Sequence, residues 1–281
     1  MLDLSFSPEQ DMLRAMVRGL GAEHAPLGVV RELEDDPVGI AADLWKGLAG
    51  ADLCGLLVPA GQGGSGMTAV DGVVVYEELG RALAPTPHFV SCVVSAGALV
   101  AGGTAAQQAE WLPRLAAGEA VLTPAWLEPD GGFGPRGVQA RATPDGDGVR
   151  LTGTKRHVAF AAGADRLLVL ARTGDAPRDV DLYLVARDAP GVTLTQQLSL
   201  ASDTQYRVDL DGVRVEGADQ LSGGWAAWDD ARDDALIMLA AWAAGAAGHV
   251  QEITVQYAKD REQFDKPIGA FQSIAHYLAD R

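Results

Sequence analysis

The sequence predicts an α+β fold in three successive parts: an N-terminal helical domain (1–122), a central antiparallel β domain (123–223) and a C-terminal helical bundle (224–281) that is incomplete. Three observations carry this prediction. Apolar residues recur at helical spacing through the first part. Short β-branched runs, bounded by turns, fill the second. One long apolar-periodic stretch opens the third. With 281 residues, 48% hydrophobic and 21% charged, the chain has enough apolar side chains for a sizeable core.

The first helix starts at Ser7-Pro8-Glu9-Gln10, with Ser7 as N-cap, Pro8 at the first position and Gln10 three residues on. Met12, Leu13, Met16, Val17 and Leu20 follow on one face. Further helices are expected over 40–51, 68–82, 90–101 and 104–115, punctuated by Pro and Gly. Between two of them runs Val58-Pro59-Ala60-Gly61-Gln62-Gly63-Gly64-Ser65-Gly66. A glycine-rich loop can cradle phosphate, but here no Lys-Ser/Thr pair follows and no strand clearly leads in, so a structural turn is the reading.

From Val121 the texture changes. Runs at 138–142 and 149–154 flank Pro144-Asp145-Gly146-Asp147-Gly148, a hairpin signal. Further short runs at 166–171, 181–185, 192–196 and 206–215 continue the β domain as a sandwich or barrel. Strands cluster instead of alternating with helices, and no G-x-G-x-x-G is present, which excludes a dinucleotide-binding parallel sheet.

After Gly223-Gly224 a helix is expected over 226–262, with Asp229, Asp230, Asp233 and Asp234 in its first turns, where negative charge complements the helix dipole. Leu236, Leu239, Ala243, Val250, Ile253 and Tyr257 form its apolar stripe. A helix of roughly 50 Å needs partners along its length. The sequence supplies one more, from 270 onward, so the bundle reads as cut short. Between them Asp265-Lys266-Pro267 breaks the helix, because Pro267 lacks an N–H and restricts the residue before it. Arg261 and Gln263 are thereby expected on the last helical turn, presenting a cation and an amide at a tight corner. A plain helical hairpin with solvated charges is the structural alternative.

The net charge of −16, from 22 basic and 38 acidic residues, argues against nonspecific nucleic-acid binding. Cys54 and Cys92, the only cysteines, lie in apolar surroundings, which excludes a disulfide framework or a Cys-rich zinc site and predicts two buried free thiols. No metal site is expected. The acidic N-terminus lacks the basic and apolar stretches of a signal peptide. The Ala-rich stretch 235–248 is short and preceded by charges, so it reads as a buried helix of a soluble protein, not a membrane span. A cytoplasmic location is expected.

The ordered series of motifs resembles the acyl-CoA dehydrogenase family over essentially the whole chain. It runs from Leu57-Val58-Pro59 through Glu77-Glu78-Leu79-Gly80-Arg81, Trp111-Leu112-Pro113, Glu128-Pro129, Gly153-Thr154-Lys155 and Pro190-Gly191-Val192. It closes with Tyr257-x-x-x-Arg261-x-Gln263-Phe264 and Pro267-Ile268-x-x-Phe271-Gln272. The resemblance implies an FAD-dependent enzyme acting on an acyl-CoA substrate. In such enzymes a carboxylate takes the α proton, flavin takes a hydride from the β carbon, and electrons pass to electron-transfer flavoprotein or a similar acceptor. It also implies a homo- or hetero-oligomer in which Arg261, Gln263 and Phe264 reach the FAD of a neighbouring subunit, with Gln272 near the same dinucleotide.

The departures from the family pattern matter as much. Leu127 and Phe133 stand where family members carry hydroxyls facing the flavin ring, and Ala159 likewise has none. His157 occupies a family aromatic position and could stack on or bond to a flavin, while a lone histidine near strands is more often structural. The position of the early catalytic Glu aligns near Ala235, and the nearby Asp233 and Asp234 read as helix charges, so no catalytic base is assigned. Two readings follow from the resemblance: an acyl-CoA dehydrogenase subunit, or a non-catalytic partner that completes the FAD site of a heteromeric acyl-CoA dehydrogenase.

Overall fold

In a computed structural model, residues 5–201 and 203–280 are described. Ser7 caps α1 (Pro8–His24) in a complete capping box with Gln10, as its sequence requires. A short α2 (Leu27–Glu32), not foreseen, precedes α3 (Ala42–Gly50) and α4 (Ala69–Arg81). The expected helix over 90–101 begins as a π-helical turn, Phe89–Ser95, and only then becomes α5 (Ala96–Gly102). The Ser95 hydroxyl donates to the Val90 carbonyl 2.7 Å away, across this widened turn. Thr104 caps α6 (Ala105–Ala116). The glycine-rich 58–66 stretch is a turn against α6, where a Cβ on Gly63 would come within 3.2 Å of Pro113.

The central domain is one seven-stranded sheet. Its strands are β1 (Leu122–Ala125), β2 (Arg141–Asp145), β3 (Gly148–Ala159), β4 (Arg166–Arg172), β5 (Val180–Ala186), β6 (Val192–Gln197) and β7 (Gln205–Val215). The order is β1-β4-β2-β3-β7-β6, with β5 also paired to β4. The sheet is mixed and not purely antiparallel as the sequence predicted, because β1 and β2 both run parallel to β4. For β1 one long-range contact pins the pairing: Asp165 accepts from the Val121 amide through its carboxylate (2.8 Å), and its own amide donates to the Val121 carbonyl (2.7 Å). That pins the start of β4 beside the start of β1. One hydrophobic cluster fills the sheet's interior around Leu151, Val169 and Val208, and a larger one joins sheet and helices around Leu99, Leu168 and Trp228.

The chain then enters α7 (Gly224–Asp260), 37 residues and about 55 Å at the usual rise. It starts earlier than expected, so no acidic residue falls in its first turn. Asp229 instead pairs with Arg178 and Arg232 at 3.4 and 3.1 Å. Its middle lies against α4, at a crossing made possible by two glycines. A Cβ on Gly80 would sit 2.0 Å from the Trp242 carbonyl, and one on Gly245 would sit 1.8 Å from that of Glu77. Arg81 pairs with Glu252 further along.

Burial of α7 is one-sided. Ala235, Met238 and Ala241 are buried while Leu236, Ile237, Leu239, Val250 and Ile253 are exposed, because α4, α5 and the π-helical turn pack mainly against one side of the helix, and α8 (Gln272–Ala279) adds little. The expectation of a buried 235–248 helix is corrected accordingly, since only one side of it is buried. By length and composition α7 alone among the described residues could cross a membrane, and its contacts with α4 and α5 show a helix that joins the core.

Candidate functional site

Where the sheet meets the π-helical turn and α7 there is a cleft of about 520 Å³. Each wall is built by a separate part of the chain. Phe89, Val90 and Val94 come from the π-helical turn, which is tied to the sheet by the Leu122 amide donating to the Ser91 hydroxyl at 3.1 Å. Pro124, Trp126, His157 and Ala159 form the sheet wall. Trp228, Arg232, Ala235, Leu236 and Leu239 face them from α7, spaced to lie on one side of the helix.

The mouth is aromatic. Trp126 sits 5.3 Å from Trp228 and 5.8 Å from Phe133, centroid to centroid, all tilted. Phe133 is 71% exposed, and its carbonyl accepts from Arg232 Nη1 at 3.1 Å. The loop carrying Leu127 and Phe133 is fixed from beneath: Glu128 accepts from the amides of Gln139 and Ala140 (both 2.9 Å) and meets Lys155 Nζ at 2.6 Å. Arg156 N–H donates to the Leu127 carbonyl at 2.8 Å. Lys155 is fully buried, and that burial brings its pKa down to about 8 despite the adjoining carboxylate.

Of the sequence-nominated residues, His157 lines this cleft, together with Ala159, Phe133 and Ala235. Asp233 does not line it, and Asp234 faces a separate 150 Å³ cavity beside Cys92 and Gly97. Among the described residues, no carboxylate lines the cleft. The sequence missed Trp126, Trp228, Arg232 and the π-helical residues; only Trp126, next to Leu127-Glu128-Pro129, had a local signal.

Arg261, Gln263, Phe264 and Gln272 lie elsewhere. Arg261 is not on the last helical turn: it is the C-cap of α7 with extended backbone, and Gln263 belongs to β8 (Glu262–Gln263), which pairs with β9 (Lys266–Pro267). The helix stops short because the two-residue turn needs both Phe264 (φ 56°) and Asp265 (φ 62°) in the left-handed region, incompatible with helix. Phe264 is 86% exposed, stacked edge-on to Phe271, whose ring carries Lys266 Nζ 4.3 Å above it. Arg261 follows Arg232 by 29 residues along α7, about 43 Å. The exposed arm and the cleft are therefore two separate sites.

Three domain models match the chain in order: the acyl-CoA dehydrogenase N-terminal domain over residues 7–119, the middle domain over 124–213 and the C-terminal domain over 223–281. Acyl-CoA dehydrogenase FadE27 of Mycobacterium tuberculosis is 34% identical over 89% of this chain. The chain spans 65% of that protein's length. Among solved structures, the Tcur3481-Tcur3483 steroid ACAD G363A variant is 37% identical with a TM-score of 0.85, over 97% of this chain and 72% of that one. The ChsE4-ChsE5 complex from Mycobacterium tuberculosis is 29% identical with a TM-score of 0.89, over 99% and 74%. A glutaryl-CoA dehydrogenase from Mycobacterium smegmatis in complex with FADH2 is 29% identical with a TM-score of 0.88, over 98% and 72%.

Proposed function

The chain belongs to the acyl-CoA dehydrogenase family, and from that premise we propose that it is a subunit of an FAD-dependent enzyme that dehydrogenates an acyl-CoA thioester between its α and β carbons. The observation that carries the proposal is the three-walled cleft: about 520 Å³, largely apolar, and lined by aromatic rings that suit a planar tricyclic ring beside an acyl chain. On this reading the chain divides into domains at 1–122, 123–223 and 224–281 and works in the cytoplasm.

The residues present fit a flavin in volume and in aromatic character, and depart from it in polar contacts. Leu127, Phe133 and Ala159 offer no hydroxyl, which leaves His157 and backbone groups to bond the ring from the sheet side. Bound there, FAD would supply the two-electron acceptor that side chains lack. The chain's own part is to hold and to dry the site. Trp126, Trp228 and Phe89 exclude water, which strengthens any hydrogen bond to a substrate carbonyl. The Glu128–Lys155 pair keeps the 127–133 loop in place. Arg261, Gln263 and Phe264, on an arm about 33 Å along the helix from Leu239 at the cleft, would serve the pyrophosphate end of another subunit's FAD, with Gln272 beside them.

A second reading is favoured by one observation: among the described residues no carboxylate lines the cleft, and Ala235 stands on the α7 wall. A chain so built fits the partner subunit of a heteromeric dehydrogenase, lending its arm to a catalytic neighbour. Relatives solved as two-protein assemblies, Tcur3481-Tcur3483 and ChsE4-ChsE5, support that organisation. In both readings electrons leave to electron-transfer flavoprotein or a comparable acceptor.

The test is co-expression of this chain with a second dehydrogenase subunit encoded beside it, and separately by itself. Yellow protein with a flavin absorption band from either preparation supports the family reading, and activity of the co-expressed pair alone selects the partner reading. Colourless protein from both sinks the proposal.

A further inference from the structure

The register of β3 against β7 shifts between Lys155 and Val158, and His157 lies inside this bulge with φ at 54°. A bulge with a non-glycine residue in the left-handed region re-aims a side chain, and such features gather at functional sites. Two glutamines hold the re-aimed histidine. Its amide donates to Gln197 Oε1 at 3.2 Å, and its Nδ1 lies 2.7 Å from Gln205 Oε1.

The direction of the second bond is set one residue further out. Gln205 Nε2 donates to the Asp203 carboxylate, and a carboxylate only accepts. The Gln205 amide is therefore oriented with its oxygen toward the imidazole. An amide oxygen also only accepts, so His157 Nδ1 must carry the hydrogen. A neutral imidazole has a single N–H, which leaves Nε2 with a free lone pair. Among the described residues Nε2 has no hydrogen-bond partner.

The remaining side chains of the cleft sharpen the consequence. Trp126, Trp228 and Arg232 can only donate, and Phe89, Phe133 and Ala159 do neither. Among the described residues lining the cleft, Nε2 of His157 is thus the one side-chain acceptor.

We propose that Asp203, Gln205 and His157 form a tautomer relay that presents a side-chain acceptor to the cleft, and that the group it recognises is an N–H on the edge of a planar heteroaromatic ring. The identification of that ring as flavin rests on the function proposed above; the relay does not. Gln205 and Asp203 act here as positioning residues, through His157.

The tautomer is read directly by ¹⁵N NMR of the full chain labelled at histidine, without any cofactor. The expected spectrum for His157, assigned by its loss in His157→Phe, has a protonated-type Nδ1 and an unprotonated-type Nε2. In Gln205→Leu this preference is lost, and in Asp203→Asn, whose new amide lets Gln205 turn over, both tautomers are present. In the co-expressed flavin complex Gln205→Leu and His157→Phe each weaken FAD by about tenfold, as for one lost hydrogen bond. An Nε2–H tautomer in the native chain overturns the relay. Unchanged FAD affinity in both variants overturns the ring N–H assignment. If the NMR result holds and no preparation takes up flavin, the relay stands and the flavin reading fails.

Discussion

Lys155 Nζ lies 2.6 Å from Glu128 Oε1 with both side chains buried, so a charged bond ties β3 to the loop that carries Leu127 and Phe133 to the cleft. Removing one partner leaves the other charge without compensation. Glu128→Ala is expected to destabilise the protein by about 3–5 kcal/mol in urea unfolding. Replacing both, as Glu128→Leu with Lys155→Met, should return most of that loss. A single variant as stable as the native chain would refute the role given to this pair.

His88 is buried between two fixed partners: its Nδ1 accepts from the Tyr76 hydroxyl at 2.7 Å, and its Nε2–H donates to the Leu53 carbonyl at 3.0 Å. Burial lowers its pKa to about 4. The folded state therefore binds a proton less readily than the unfolded chain, whose histidine titrates near 6.5. The associated stability is fully present above pH about 6.5 and declines as pH falls toward 4, by up to about 3 kcal/mol. His88→Gln should flatten that part of the curve of unfolding free energy against pH, and an unchanged slope would count against it.

Gly245 and Gly248 occupy the same helix three residues apart and face different surroundings. A Cβ at 245 would meet the Glu77 carbonyl at 1.8 Å, whereas one at 248 meets nothing within 4 Å. Gly245→Ala should push α7 off α4 and cost about 1–3 kcal/mol. Gly248→Ala should stabilise by about 0.5–1 kcal/mol through helix propensity. Paired thermal melts decide it, and equal shifts would contradict the crossing.

Arg261 is exposed, on an arm that makes few contacts within the chain. Arg261→Ala should therefore leave the melting temperature of the isolated chain within about a degree, for a surface change within ±0.5 kcal/mol. In a flavin-bearing complex the same substitution should weaken FAD about 10- to 150-fold, the range for a lost charge-assisted bond. Full flavin retention would show that the arm serves another purpose.

The turn at Phe264 and Asp265 offers a separate check on local strain. Asp265→Gly relieves one left-handed residue and should sharpen amide signals of the 262–267 hairpin, with little effect on overall stability. Loss of those signals would place the hairpin's stability elsewhere.

Much of the architecture was legible because it is local. Capping at Ser7, the turn-bounded β runs from β2 to β7 and the apolar stripe of α7 each reside in a few neighbouring residues. The motifs around Glu128, Lys155 and Arg261 were equally legible as strings. The four-residue β1, with Pro124 inside it, had too little pattern to be seen, and its parallel pairing depends on Asp165, some forty residues on. The helical end expected for Arg261 failed because a two-residue turn with two left-handed residues competes with helix and wins at Pro267.

The sequence by itself determined the three-part chain, the family and the residues that depart from its pattern. Only the tertiary structure decided that His157 faces a cleft with Trp126 and Trp228, that Asp234 faces another, and that the Arg261 arm stands apart from both. The reason is physical. A residue's propensity and period are set by its neighbours in the chain, whereas a wall shared by residues 89, 126, 157 and 228 exists only after their elements pack. The Gln205 oxygen that meets His157 Nδ1 comes from a residue 48 positions away, and no local pattern records it.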